Sequence, residues 1–327
     1  MRNRRPIRFA AAVLVTLAAS LAVLNPAQAG APPHHDQVPG YHRLKVGDLE
    51  VTALYDGTAV FQLDWLTGEE GAMQRVAGGL GENPHLLDAA DTAFLVNTGR
   101  QLVLVDTGAG KWFGGGTLGK LLDSLRSAGY APEQVDRVLI THMHSDHIGG
   151  LTTQDGKRVF PNADVYVAKA ESDFWLSTAN AARAPKDAQQ FFEAAKAISA
   201  PYIRDGRWHT FDGTETVMDG VEIVSLHGHT PGQTGYVFSS EGRKILFWGD
   251  TIHAQTVQLS DPDITVVFDV DHPGAAEARN KLLQSLAHEG TLIAGPHMIF
   301  PGFGRLRKLG TGYVWVPIAY TDQWVDK

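Results

Sequence analysis

The chain has 327 residues, 43% of them hydrophobic and 20% charged, with 28 basic against 36 acidic side chains and a formal net charge of −8. This is ordinary globular composition, long enough to bury a sizeable core in one large or two medium domains. The acidic balance argues against nucleic acid as a partner, because polyanions favour basic patches. The lack of cysteine excludes disulfides and thiolate ligands, so any metal site must be built from His, Asp or Glu.

Residues 1–29 read as a secretory signal peptide. Arg2, Arg4, Arg5 and Arg8 form a basic start, Phe9 to Leu24 is an uncharged apolar run, and Ala27-Gln28-Ala29 is a small-residue cleavage site. The run is shorter than the roughly 20 residues of a spanning helix, so the expectation is export to the periplasm or medium without stable membrane insertion. Asn3-Arg4-Arg5 resembles a twin-arginine signal, but Pro6 and Ile7 fit it poorly, which leaves the export route open. Loss of the four arginines would leave 24 basic and 36 acidic residues, a net charge of −12.

Residues 30–40 read as a flexible mature N-terminus, with His34 and His35 as solvated tail residues. No Pro/Ser linker divides the remainder of the chain, so 41–327 is expected to be one domain. Tyr41–Val46 and Leu49–Tyr55 form a hairpin around Gly47-Asp48, and Gly68–Pro84 is a glycine-rich loop. Thr92–Asn97 and Gln101–Asp106 are a second strand pair. Leu118–Ala128 has helical spacing and stops at Gly129. A short buried strand, Val138–Ile140, precedes "THMHSDHIGG", and Asp164–Val167 is another strand. Ala168–Ser177 and Ala188–Ile198 read as helices, the second capped by Asp187. Strands return at Val221–Ser225, Thr234–Ser239 and Lys244–Trp248, then a helix at Gly274–Ala287 after Pro273 and a strand at Thr291–Ala294. Two β-rich halves with interspersed helices predict an α+β fold in which two mixed sheets pack face to face with helices outside.

The chemistry concentrates at strand ends. In an extended segment residues i and i+2 project to one side, so His142 and His144 can grip one ion together. Asp146 and His147 come next, where the chain turns toward Gly149-Gly150. Neutral imidazole and carboxylate suit zinc and related divalent ions, and four such residues from one loop exceed what a single ion would take. Two ions are the inference. His229 in "SLHGHTPGQTGY", Asp250 in "ILFWGDT" and His297 in "LIAGPHMIFPG" each end an apolar strand beside Gly or Pro, where packing rarely places them.

Together "HMHSDH", "GHTPG", "FWGDT" and the late "GPH" resemble, in order and context, the HxHxDH…H…D…H pattern of the metallo-β-lactamase fold superfamily. "GYHRLKVGDLEVTALYDGT", "VNTGRQLVLVDTGAG", "FPNADVYVAKAESDFWLS" and "FPGFGR…GYVWVP" are similar to methyl parathion hydrolase and its lactonase and arylesterase relatives. The resemblance spans essentially the whole mature chain. It implies an αββα sandwich with a binuclear site at one edge. His142, His144 and His229 would hold one ion, Asp146, His147 and His297 the other, and Asp250 would bridge both; Asp250 and Asp146 are the acids expected in catalysis. Zinc is the expected metal, with manganese, cobalt or iron as alternatives, and relatives suggest a homodimer.

Where many relatives read "HTPGH", this chain has Gln233, which is expected to act behind the ligands along with Asp106 of "VDTGAG", an acid placed to orient a ligating histidine. His227 is expected to be structural rather than a ligand. His42, His85, His209, His253, His272 and His288 are expected at the surface. Phe113, Trp175 and Phe192 are expected to line the substrate pocket. An aromatic pocket above activated water suits a hydrophobic ester, a lactone or an aryl phosphotriester better than a charged nucleotide. No serine nucleophile in a G-x-S-x-G elbow occurs in the mature chain. The alternatives are a dedicated methyl-parathion-type phosphotriesterase and a non-catalytic metal-binding protein. A glutathione-thioester hydrolase, a β-lactamase and a nuclease are disfavoured.

Overall fold

Strict alternation of inward and outward apolar residues builds two sheets that share one core. In the computed structural model Phe94 and Val96 of one strand, and Val103 and Val105 of the next, meet Tyr236, Phe238, Ile245 and Phe247 of the opposite sheet. Their in-between neighbours, Ala93, Leu95, Leu102 and Leu104, point the other way, into a second core. Period-two burial on both faces is what a central strand covered on each side requires.

The structure describes residues 37–38, 40–68, 86–113, 116–186, 188–213, 216–321 and 324–326. The chain divides into Met1–Gln37 and Val38–Lys327, and the fold is that of the second unit. The expected signal peptide, nearly all of the expected tail with His34 and His35, all but the first residue of the 68–84 loop, His85 and the expected cap Asp187 lie outside the described residues.

The first sheet contains β1 (Tyr41–Val46), β2 (Leu49–Gln62), β4 (Leu86–Asn97), β5 (Leu102–Val105), β6 (Arg137–Leu139), β7 (Asp164–Ala168) and β8 (Trp208–Phe211), in the order β1-β2-β4-β5-β6-β7-β8. It is antiparallel as far as β5 and parallel beyond it. The second sheet consists of β9 (Val221–Ser225), β10 (Thr234–Ser240), β11 (Arg243–Phe247), β13 (Leu292–Ala294), β14 (Phe303–Leu309) and β15 (Gly312–Pro317), in the order β15-β14-β13-β11-β10-β9; only β11 and β13 pair in parallel. A small third sheet joins β3 (Leu66–Thr67) to β12 (Thr265–Val266).

Helices Leu121–Ser127, Lys169–Trp175 and Gln189–Arg204 cover the outer face of the first sheet through Leu125, Trp175, Phe192, Ile198 and Tyr202. Helix His272–Glu289 covers the second through Leu283 and Leu286. The layers are therefore helix, sheet, sheet, helix, an α+β sandwich as expected.

Several boundaries differ from those expected, each for a local reason. The first helix starts at Leu121 rather than Leu118, because buried Asp56 accepts the backbone N–H groups of Gly119 and Leu121 and holds the preceding segment non-helical. The helix expected to end at Ile198 continues through Pro201 to Arg204, since Tyr202 is fully buried one turn on and anchors the extension. Helix His272–Glu289 begins with Asp271 capping the Gly274 N–H. No described helix is long and apolar enough to cross a membrane.

Candidate metal centre

Four strand ends converge on one edge of the sandwich. β6 ends at Leu139, and the chain runs on without regular structure, through a bend at Thr141, to His144, whose extended backbone (φ −66°, ψ 152°) caps the short helix Ser145–Ile148. Two buried carboxylates clamp this run. Asp106 accepts from the Thr141 N–H (2.8 Å) and hydroxyl (2.8 Å), and Glu171 accepts from the Met143 N–H (2.8 Å). Met143 packs into the core, which leaves His142 and His144 on the opposite side. The next pair, Gly149-Gly150, has a steric cause: a Cβ would lie 2.1 Å from the Ala109 carbonyl oxygen at Gly149 and 1.9 Å from that of Thr107 at Gly150.

The structure brings the expected donors into two groups, one of His142, His144, His229 and Asp250, the other of Asp146, His147, Asp250 and His297, with donor atoms in each within 4.8 Å of one another. The Nδ1 of His144 lies 3.1 Å from the Nε2 of His142 and 3.0 Å from that of His229. Asp250 Oδ1 lies 3.1 Å from His147 Nε2, and Oδ2 lies 3.2 Å from His297 Nε2. Asp250 alone belongs to both groups.

The outer nitrogens of three imidazoles are tied to groups that can only accept. Nδ1 of His229 donates to Asp269 (2.6 Å), that of His147 to Asp106 (3.0 Å) and that of His297 to the Ala90 carbonyl (2.9 Å). Each Nδ1 therefore carries a proton, which aims the Nε2 lone pair into the cluster when the ring is neutral. His147 Nε2 and Asp250 Oδ1 are buried and make no hydrogen bond among the described residues. Orphaned donor atoms facing one space, with outer nitrogens already committed, fit divalent ions and the zinc-type ligand chemistry of imidazole and carboxylate.

Charge has the same layout. Burial, with His147 next to one and His229 next to the other, holds His142 and His144 well below the ordinary histidine range. His147 goes the other way: burial opposes its charge, but Asp250, Asp146 and Asp106 outweigh burial and raise it well above that range. His297 is raised to about 9, Asp250 outweighing burial there too. Although burial disfavours the Asp250 carboxylate, the surrounding imidazoles, His147 and His297 foremost, hold its pKa well below the usual value.

The other expected site residues divide. Asp106 contacts His147 as expected of an orienting acid. Gln233 is buried, but its amide reaches the Leu226 carbonyl (3.4 Å) rather than an imidazole, closing the loop that carries His229. The group that orients His229 is Asp269, which the sequence did not single out; burial opposes its charge, but His229 holds its pKa down to about 2. His227 is exposed, bonded to Ser225 and in neither group. His253, expected at the surface, is buried with Nε2 2.9 Å from Asp250 Oδ2 and its ring stacked on His297. His42, His209 and His272 are half-buried; His288 is exposed.

Above the ligands opens a cavity of about 720 Å³. Phe113 lines it as expected, beside Trp112, Phe61, Trp65 and Phe268. Trp175 and Phe192 do not. Both are buried in the core, where their rings pack with centroids 4.7 Å apart and planes tilted by 48°, and the Trp175 Nε1–H donates to Glu171. Trp175 also packs edge-on against His144 (5.2 Å), supporting the ligand from behind. The aromatic residue that helix Gln189–Arg204 presents to the cavity is Phe191, one position and about 100° around from Phe192.

Comparisons with known proteins agree with this geometry. A solved structure described as a hydrolase, AbOPH, in the beta lactamase superfamily shares 36% identity, with a TM-score of 0.83 over 88% of this chain and all of the other. One described as AidC, a dizinc quorum-quenching lactonase in complex with a product, shares 28% identity, with a TM-score of 0.78 over 88% of this chain and all of that one. Among curated proteins, the atrochrysone carboxyl ACP thioesterase of Passalora fulva is 28% identical over 202 residues, 60% of this chain and 48% of that protein. The N-acyl homoserine lactonase of a Bacillus species is 26% identical over 174 residues, 48% of this chain and 61% of that one. The chain thus spans about half the length of the curated relatives it matches. The sequence model of the metallo-beta-lactamase superfamily matches residues 90–297, across all seven clustered donors, and the chain belongs to that superfamily.

Proposed function

We propose that the chain is an exported hydrolase that uses two divalent ions, zinc foremost, to open hydrophobic lactones and cleave carboxylic aryl esters, with aryl phosphotriesters as a further substrate class. The observation that carries this reading is the convergence of seven donor side chains, sharing Asp250, beneath an aromatic cavity. His142, His144 and His229 would hold one ion and Asp146, His147 and His297 the other, with Asp250 between them. Bound there, such a pair supplies an activated water and a Lewis acid for the carbonyl or phosphoryl oxygen.

The protein's own side chains do the rest. Asp269, Asp106 and the Ala90 carbonyl fix the three imidazoles to which they bond, so the site is preorganised before substrate arrives. Buried His253 bonds to Asp250 and holds the shared carboxylate in place. The cavity walls exclude water from an apolar acyl or aryl group. Its likeness at 28% identity to the lactonase structure supports lactones as a substrate class, and the basic-then-apolar start of the chain supports export.

The test is a panel of one lactone, one aryl ester and one aryl phosphotriester, assayed with the metal-loaded and chelator-treated protein. Turnover of the lactone or aryl ester that disappears on chelation is expected. Turnover of the phosphotriester alone would replace this reading with a dedicated phosphotriesterase. Inactivity on all three, together with metal-dependent folding, would leave a metal-binding protein without hydrolytic activity.

A further inference from the structure

The cavity has a charge pattern that water activation does not explain. One wall is a face of the helix Gln189–Arg204, where Gln190, Phe191, Glu193, Ala194 and Ala197 recur at helical spacing. Four carboxyl groups line the cavity, those of Asp91, Asp146, Glu193 and Asp250, and among its described lining residues there is no Lys or Arg. Asp146 and Asp250 lie within the ligand groups, so bound ions would compensate their charge. Asp91 is buried and lies at hydrogen-bonding distance from Asp56. Glu193 is left exposed, on the same wall as Phe191 and in the same cavity as Trp112 and Phe113.

This combination treats the part of a substrate remote from the reacting bond according to its charge. A carboxylate tail would give up water for ring faces that carry negative partial charge, beside a like-charged side chain and with no Lys or Arg among the described lining residues to pair with. An alkylammonium tail would meet the same ring faces favourably and be attracted by the Glu193 carboxylate. An uncharged tail would gain burial alone.

We infer that the cavity selects substrates by the charge of their tail, accepting organic-cation and uncharged tails and rejecting carboxylate tails, with Glu193 as the residue that sets the preference. The inference rests on the proposed ester and lactone chemistry and adds a substrate class to it: esters bearing a quaternary ammonium group.

The test uses three nitrophenyl esters of equal length ending in trimethylammonium, tert-butyl or carboxylate. The full metal-loaded chain is compared with Glu193→Gln and Glu193→Lys. Glu193 is exposed on a helix, so both substitutions should fold. The expected ratio of kcat/KM for the ammonium ester over the carboxylate ester is about tenfold at low salt. It should drop severalfold in Glu193→Gln and invert in Glu193→Lys. It should shrink near 1 M salt, where the screening length falls to about 3 Å. Equal turnover of the ammonium and carboxylate esters by the unsubstituted protein, or a ratio unmoved by Glu193→Lys, overturns the inference. If none of the three esters is hydrolysed, the ester reading fails, and charge selection is read from binding instead. Quenching of tryptophan fluorescence (Trp65 and Trp112 line the cavity) by phenyltrimethylammonium and by benzenesulfonate is then compared between the unsubstituted protein and Glu193→Lys. A shift of the affinity ratio toward the sulfonate in Glu193→Lys supports the inference, and an unchanged ratio overturns it.

Discussion

The two donor groups share Asp250, but His142 and His144 in one are pushed toward the neutral ring while His147 and His297 in the other are pushed toward the protonated one. Around His142 and His144, burial and neighbouring imidazoles keep the rings neutral, ready to donate lone pairs. Around His147 and His297, Asp250 and Asp146 overcome burial and favour the protonated ring. Without metal, the second group stores protons where the first stores lone pairs. An ion entering the second group must displace those protons, so its affinity depends on pH in a way that affinity at the first group does not. The difference comes from where acids stand: Asp146 lies 3.7 Å from the Nε2 atoms of both His147 and His297.

The largest expected effect removes what the groups share. Asp250→Ala should cost both ions and lower turnover by more than about 100-fold, because even the outer partners of metal ligands are typically worth 10–100-fold. Two ions per chain with unchanged turnover in this variant would refute the shared role.

Substitution of the outer acids should separate the groups. Asp269→Asn loosens His229 and should weaken the ion at the first group by about 10–100-fold, whereas Asp106→Asn loosens His147 and should do the same at the second. Asn tolerates the positive φ of residue 106 (57°), so the backbone should survive that change. Anomalous diffraction at limiting zinc reads the occupancy of each group, and loss of the same ion in both variants would break the distinction.

The pH dependence sharpens it. His297, raised to about 9 in the metal-free fold, contributes stability that is present in full below its ordinary 6.5 and lost as pH rises through about 9. Metal affinity at the second group has the opposite sign, falling by up to about tenfold for each unit below pH 9 per proton displaced. Calorimetric zinc titrations at pH 6 and pH 8 should show one affinity moving much more than the other. Two affinities that move together would contradict the comparison.

The smallest effect on catalysis concerns the walls. Phe191→Ala should raise KM for an apolar ester by a few fold, on the order of 1 kcal/mol of lost apolar contact. Phe192→Ala should leave KM unchanged while lowering stability by about 3–5 kcal/mol, since Phe192 is core. Thermal melts beside the kinetics separate the two.

Distance along the chain decided which features were legible in the sequence. The sandwich was legible because strands buried on both faces are apolar and alternate, and the donors were legible because four crowd into six residues past one such strand and the other three each follow another beside Gly or Pro. Asp269, Glu171, Asp56 and His253 were not read from the sequence. Asp269 acts on His229 forty residues away, Glu171 on Met143 across 28 and Asp56 on Ala109 across 53. A lone acid whose partner is that remote leaves no spacing to read. His253 was hidden differently, its ring stacking on a residue 44 positions on. The choice of Phe192 over Phe191 did have a signal. Phe192, Ala195, Ile198 and Tyr202 form the buried stripe of that helix, and helical phase alone sends Phe191 elsewhere.

The most direct test of the central claim is turnover of a lactone or aryl ester measured against the number of ions per chain, from chelator-treated protein back to full reconstitution. The account predicts no turnover without metal and a maximum at two ions per chain. Full turnover in the metal-free protein, or a maximum reached at a single ion with no further change at the second, would contradict it.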